Sequence, residues 1–346
     1  MITTQPSPPL PAAPTDQGSD LEAGSYAYSI INQQYRHMVD QEGGVREDRD
    51  PEYLHQMRVG SRRLRTALQV FDQMVQLPKA ARIPPIRKIS QTLGQLRDLD
   101  VQIADIEQDY GQRIAHKGQL KALQKALGML RKQRRQVFAE VEGMLTQPLY
   151  TQLKRAYEDW LRSPQFRPMA QLPLTLVLPD LLNPLIAKLL LHPGWLVTGE
   201  VVSPAHRQTL HDLRKVCKSV RYQAEFFSNF YGPDFRAWVK ELKTWQDNLG
   251  KVQDTYVLMG LLAEQSHATT NLSQLHAVMA EKRQGALTDW ERTRLRYLNP
   301  GFRQALYQQV LRPRLDQKPP APGEPEAFLG EPNLDLPGSP CGGVGR

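Results

Sequence analysis

The chain has 346 residues and carries 44 Lys and Arg against 36 Asp and Glu, a formal charge of +8. That length supplies ample material for buried cores, in two domains or in one large repeated one. Its two cysteines, Cys217 and Cys341, exclude a disulfide framework and a paired-cysteine metal knuckle, which fits a reducing cytosol. The charge is unevenly spread: residues 1–22 hold three acids and no base, and residues 313–346 hold five acids and three bases. The 41 basic and 28 acidic residues between them leave an excess of about +13, which favours polyanionic partners.

In chain order, residues 1–22 are Pro-rich, lack hydrophobic periodicity and are expected to be disordered, as is the Pro/Gly-rich stretch 313–346. The N-terminus has neither the basic n-region nor the apolar core of a signal peptide, so a cytoplasmic location is expected. Between the ends, 3.6-residue periodicity and strong helix formers predict helices over 25–41, 51–74, 83–109, 119–145, 147–162, 180–192, 204–230, 234–265, 270–297 and 300–311. No alternating strand pattern stands out, and the fold class is all-α. The most apolar run, 172–197, is interrupted by Pro173, Pro179, Asp180, Pro184, Lys188 and Pro193, whereas a bilayer span wants about 20 uninterrupted apolar residues. It reads as a core helix with connectors, and no membrane partner is expected.

An internal repeat organises the middle of the chain. At an offset of about 156 residues, HQMRVGSRRLRTALQVF (55–71) lies over HDLRKVCKSVRYQAEFF (211–227). His55 meets His211, Arg58 meets Arg214, Arg62 meets Lys218, Arg65 meets Arg221 and Phe71 meets Phe227. Without a gap, LGQLRDLDV (93–101) then lies over LGKVQDTYV (249–257). One domain over 23–312 is expected, its first half at about 25–192 and its second at about 204–312.

On a helical wheel with His55 at zero, Arg58, Arg62 and Arg65 fall within one sector of about 80°, a row roughly 15 Å long. Leu64, Met57, Leu68 and Phe71 occupy a separate apolar sector, and the second copy divides in the same way. Cations at i,i+3 and i,i+4 repel, which weakens a helix by about 0.2–0.5 kcal/mol per pair. Carboxylates of neighbouring helices, Asp98, Asp100 and Asp254 foremost, would offset that repulsion. A phosphate chain answers it better, because each oxyanion accepts bidentate hydrogen bonds from a permanently charged guanidinium. The absence of interleaved aromatics argues against a base-stacking groove for single strands. Asp98 and Asp254 read as partners that orient an arginine, with a catalytic or metal-ligating carboxylate as the alternative. Tyr222 and Glu225 fall off the basic row, and Glu225 reads as a surface acid or a local partner of Arg221. Gly94 and Gly250 each cost a mid-helix position about 1 kcal/mol, which close helix packing would explain. No HExxH, P-loop, nucleophile-elbow or metal-spaced His/Cys pattern is present, so neither catalysis nor a metal or other cofactor is expected.

The four motifs, H-x-x-R-V-x-x-R-R-L-R at 55–65, L-G-x-x-R-D-x-D-V at 93–101, H-x-x-R-K-x-x-K-x-x-R-Y at 211–222 and L-G-x-x-x-D at 249–254, resemble the CHAD domain, the conserved histidine α-helical domain. The likeness covers roughly residues 25–312. It implies two pseudo-symmetric antiparallel helical bundles, four-helix-bundle-like halves, around a central basic groove or pore. It also implies binding of inorganic polyphosphate and association with polyphosphate granules. Carried onto this sequence, the contacts are His55, Arg58, Arg62, Arg65, His211, Arg214, Lys218 and Arg221, with Arg63, Arg87, Lys88, Arg97, Lys243 and Lys251 as secondary candidates. The second copy departs from the first where Gln253 and Tyr256 replace Arg97 and Asp100. No ExExK signature of a fused triphosphate-hydrolysing domain is present, which implies a stand-alone binding module. A nucleic-acid binder and a metal-dependent phosphohydrolase are the alternatives.

Overall fold

In a computed structural model, residues 21–198, 203–265 and 273–313 are described; the expectations for 1–20, for 314–346 and for the start of the 270–297 helix lie outside them. The described residues are mostly helical, with two isolated bridges, Glu22 to Pro173 and Val75 to Phe166, and no strand. The helices are α1 (Ala23–Val39), α2 (Glu42–Glu47), α3 (Pro51–Val70), α4 (Ile83–Asp105), a single turn α5 (Gly111–Arg113), α6 (Lys117–Thr146), α7 (Pro148–Arg162), α8 (Leu174–Leu190), α9 (Pro204–Phe226), α10 (Pro233–Gln265), α11 (Ser273–Ala286), α12 (Trp290–Leu298) and α13 (Pro300–Val310).

The two repeated helices start alike. Asp50 accepts a hydrogen bond from the Glu52 amide at 2.8 Å ahead of Pro51, and Ser203 accepts one from the His206 amide at 3.2 Å ahead of Pro204. A capping side chain followed by proline satisfies an orphan amide and pre-sets the first helical φ. Each repeated helix then packs on the long helix that follows it, α3 on α4 and α9 on α10, while α1 backs α3 and α8 backs α9.

The main core runs through both repeats. At the C-terminal ends of α3 and α9 the matched residues Phe71 and Phe227 meet edge to face at 5.9 Å, with Tyr26 against both at 6.2 and 6.0 Å. The Tyr26 hydroxyl donates to the Phe226 carbonyl. Between the repeats, Trp195 stacks on Tyr297 at 4.1 Å and on Trp290 at 5.6 Å, and the Trp290 indole donates to the Val197 carbonyl at 2.8 Å. That seat fixes Trp290 as the start of a new helix, so the predicted 270–297 element divides into α11 and α12. A second, smaller core lies where α4 and α6 meet α10 and α11, built on Leu99, Ile106, Leu123, Leu130, Leu258 and Met279.

The stretch Leu174–Leu196 is long and apolar enough to cross a membrane by length and composition. In the fold, Leu174, Val177, Leu178, Leu182, Ile186 and Leu189 of α8 face the core, and Asp180, Pro184 and Lys188 face outward. α8 starts six residues before the expected position and holds Pro179 and Pro184 inside it.

Candidate functional site: a basic groove between the repeated helices

In both copies the first arginine of the row lies across the mid-helix glycine of the partner helix. A Cβ on Gly94 would meet Arg58 Nε at 3.5 Å, and one on Gly250 would meet Arg214 Nη2 at 3.1 Å and Nε at 3.3 Å. The L-G of each motif is therefore a seat for a guanidinium. Asp98, one turn on from Gly94, accepts from Arg58 Nη2 at 3.2 Å, as expected of an orienting partner. In the second copy Arg214 Nε donates to the Gln246 carbonyl at 3.4 Å. Burial raises the Asp254 carboxyl to about 6 against the opposing pull of Arg214, with Asp105 and Asp98 adding to the rise. Asp254 keeps solvent access, so its crowding is that of a concave surface and not of a sealed core.

Beyond these seats the rows converge on a cavity of about 390 Å³ between α3, α4 and α9. Arg58, Arg62 and Arg65 line it from α3 and Lys218 from α9, with Ser90 and Gln91 of α4 opposite. Lys215, outside the contact set that the family resemblance implies, lines it as well, although it also pairs with Asp212 at 2.8 Å. Its position in the motif directly after Arg214 is the signal that points to it. Burial, with the neighbouring charges of Arg87 and Arg62, lowers the Arg65 pKa, the effect of crowded like charges in a semi-enclosed space.

Two expected contacts lie under the groove. Arg221 is 2% exposed: its Nη1 donates to Glu225 Oε1 at 2.5 Å and its Nε to Gln246 Oε1 at 2.9 Å. Arg63 is also buried and reaches the other oxygen of Glu225 at 2.6 Å, joining α3 to α9. Glu225 is thus an almost buried acid shared by two arginines from different repeats, where the sequence suggests a surface acid or a partner of Arg221 alone. Tyr222, off the basic row on the wheel, has two guanidiniums against its ring, Arg62 at 4.3 Å and Arg221 at 4.1 Å from the centroid, and lines the cavity.

The other candidates surround this centre. His55 and His211 begin the two rows and, with Arg214, are not among the residues lining the cavity. Burial, then Lys215 and Arg214, lower the His211 pKa, so its imidazole is mainly neutral at pH 7. Arg87, Lys88 and Lys251 are exposed, and Arg97 and Lys243 are half-buried. Where the motifs differ, the neighbours differ too. Asp100 accepts from Arg134 Nε at 2.7 Å while Arg134 also holds Asp48, whereas Tyr256 lies beneath Arg207 at 4.6 Å and Arg283 at 5.1 Å. Among the described residues no three His, Cys, Asp or Glu side chains are placed to hold one metal ion.

The described residues thus form an all-α fold in which the two repeated helices, α3 and α9, line one basic cavity. The CHAD domain family model matches residues 29–263, and the chain belongs to that family. Among solved structures it is similar to the CHAD domain from the plant Ricinus communis, with 26% identity and a TM-score of 0.58 over 88% of this chain and 96% of that one. It shares the fold of PptA from Streptomyces chartreusis, with 17% identity and a TM-score of 0.54 over 82% of this chain and 99% of that one. No curated relative matches it.

Proposed function

We propose that this protein binds inorganic polyphosphate in the groove between α3 and α9, without catalytic chemistry of its own. The observation that carries the reading is the convergence of Arg58, Arg62, Arg65, Lys215 and Lys218 on one cavity. A linear phosphate chain supplies the anion that such a row needs, and the planar guanidiniums meet its oxyanions in bidentate geometry. One aromatic ring lines the cavity, and that ring, on Tyr222, is 2% exposed and already in contact with Arg62 and Arg221, which leaves no platform for stacked bases. Association with polyphosphate granules in the cytoplasm belongs to the same proposal.

The test is competition at fixed salt between long-chain polyphosphate, duplex DNA and single-stranded RNA, since all three weaken steeply as salt rises. Polyphosphate should displace both nucleic acids at equal phosphate concentration. Tighter binding of either nucleic acid overturns the reading, and release of orthophosphate from polyphosphate with Mg²⁺ or Mn²⁺ added overturns the non-catalytic part.

A further inference from the structure

The cations of α6 form a second row that the groove does not use. Lys117, Lys121, Lys125, Lys132 and Arg135 fall within about 80° on the wheel, a stripe roughly 27 Å long. All five are exposed, and among the described residues none has an acidic partner. No Asp or Glu occurs between Lys117 and Ala139. The opposite face, with Leu123, Ala126 and Leu130, is buried in the smaller core, so the stripe must point outward. By contrast, the sideways arginines of α6 are engaged, Arg131 with Glu107 and Arg134 with Asp48 and Asp100.

Those same ion pairs set the direction of the stripe. Arg134 meets Asp100 and Arg131 meets Glu107, so α6 runs antiparallel to the chain of α4 and its continuation. Its Arg135 end therefore lies level with the turn of α4 that carries Asp98, the partner of groove residue Arg58. From there the row follows α6 back to its N-terminal end, away from the Ser90 and Gln91 of α4 that line the groove. The stripe carries no aromatic side chain, and the one exposed apolar side chain beside it, Met129, is a single residue and not the apolar face that bilayer insertion needs. Four of its five cations are lysines, compact hydrated charges on flexible stems that track a polyanion without fixing its register.

We infer that the α6 stripe is an outer track for the part of a long polyphosphate chain that overhangs the groove. This rests on the polyphosphate reading, and it adds dependence on chain length: tripolyphosphate is held by the groove alone, and long chains by groove and track together.

The experiment compares the full chain with the triple variant Lys117→Gln, Lys121→Gln, Lys125→Gln, titrated with tripolyphosphate and with long-chain polyphosphate over a salt series. Removing three exposed positive charges should weaken long-chain binding about tenfold. The salt slope should fall by roughly two, if the chain behaves as a single strand does. Tripolyphosphate affinity should not change. A second variant, Lys132→Gln with Arg135→Gln, should act in the same direction. Equal losses for both ligands, or no loss for either, overturn the track. With duplex DNA titrated alongside, a loss confined to the duplex also overturns it and would assign the stripe to nucleic acid. If the unmodified protein binds no polyphosphate of any length, the groove reading fails first and takes the track with it; groove binding without length dependence removes the track alone.

Discussion

Replacing Glu225 by Gln tests the assignment of Arg221 and Arg63 to the scaffold. The substitution keeps shape and removes the one carboxylate that both guanidiniums share, with side-chain exposures of 7% for Arg63, 2% for Arg221 and 9% for Glu225. Arg221 retains Gln246, but both guanidiniums lose the carboxylate they share in a water-poor setting. Removing one partner of a buried pair typically costs about 3–5 kcal/mol, a factor of roughly 10² to 10³ or more in the folding constant. Urea unfolding followed by circular dichroism measures it, with the m-value checked for two-state behaviour. The triple replacement Arg63→Met, Arg221→Met, Glu225→Leu should recover most of the loss, since apolar substitutes of similar volume avoid the desolvation penalty. A cost below about 1 kcal/mol for Glu225→Gln, the range of exposed pairs, would refute the buried-network account.

Polyphosphate affinity should fall as pH rises through about 6, because Asp254 then gains a negative charge close to Arg214 of the second row. His211, already held below its ordinary value, acts in the same direction by taking up a proton more readily when the polyanion is bound. Asp254→Asn should flatten the profile around pH 6, and an unchanged profile in calorimetric titrations would count against it. Gly94→Ala should stabilise α4 by about 0.5–1 kcal/mol, since the new methyl group only touches Arg58. Gly250→Ala should gain less, because its methyl group must push the Arg214 guanidinium aside; equal gains by chemical denaturation would disprove the seat.

The repeat, the helix starts at Asp50-Pro51 and Ser203-Pro204 and the cationic rows are legible in the sequence because each is written within one short segment. Depth is not. A wheel places Arg221 beside Lys218, and only Gln246 and Arg63, brought in from other helices, reveal that Arg221 is covered. Tyr222 and Glu225 escape the wheel for the same reason, since they have partners on α3. The glycines suggest close packing of helices, and the structure narrows this to arginine side chains. The prolines of α8 read as breaks, at about 3 kcal/mol each within a helix. Burial of its leucine, valine and isoleucine face offsets them, each side chain contributing about 1.5–3 kcal/mol. The short helix α2 is absent from the predicted elements: six residues with two glycines give too little periodicity to detect.

The most direct test of the central claim is the polyphosphate affinity of the double charge reversal Arg62→Glu, Arg65→Glu, measured by calorimetry at fixed salt beside the unmodified protein. Both side chains line the cavity. A folded variant, by circular dichroism, whose affinity has fallen at least a hundredfold is the predicted result; a folded variant that binds as tightly as the original would contradict the groove.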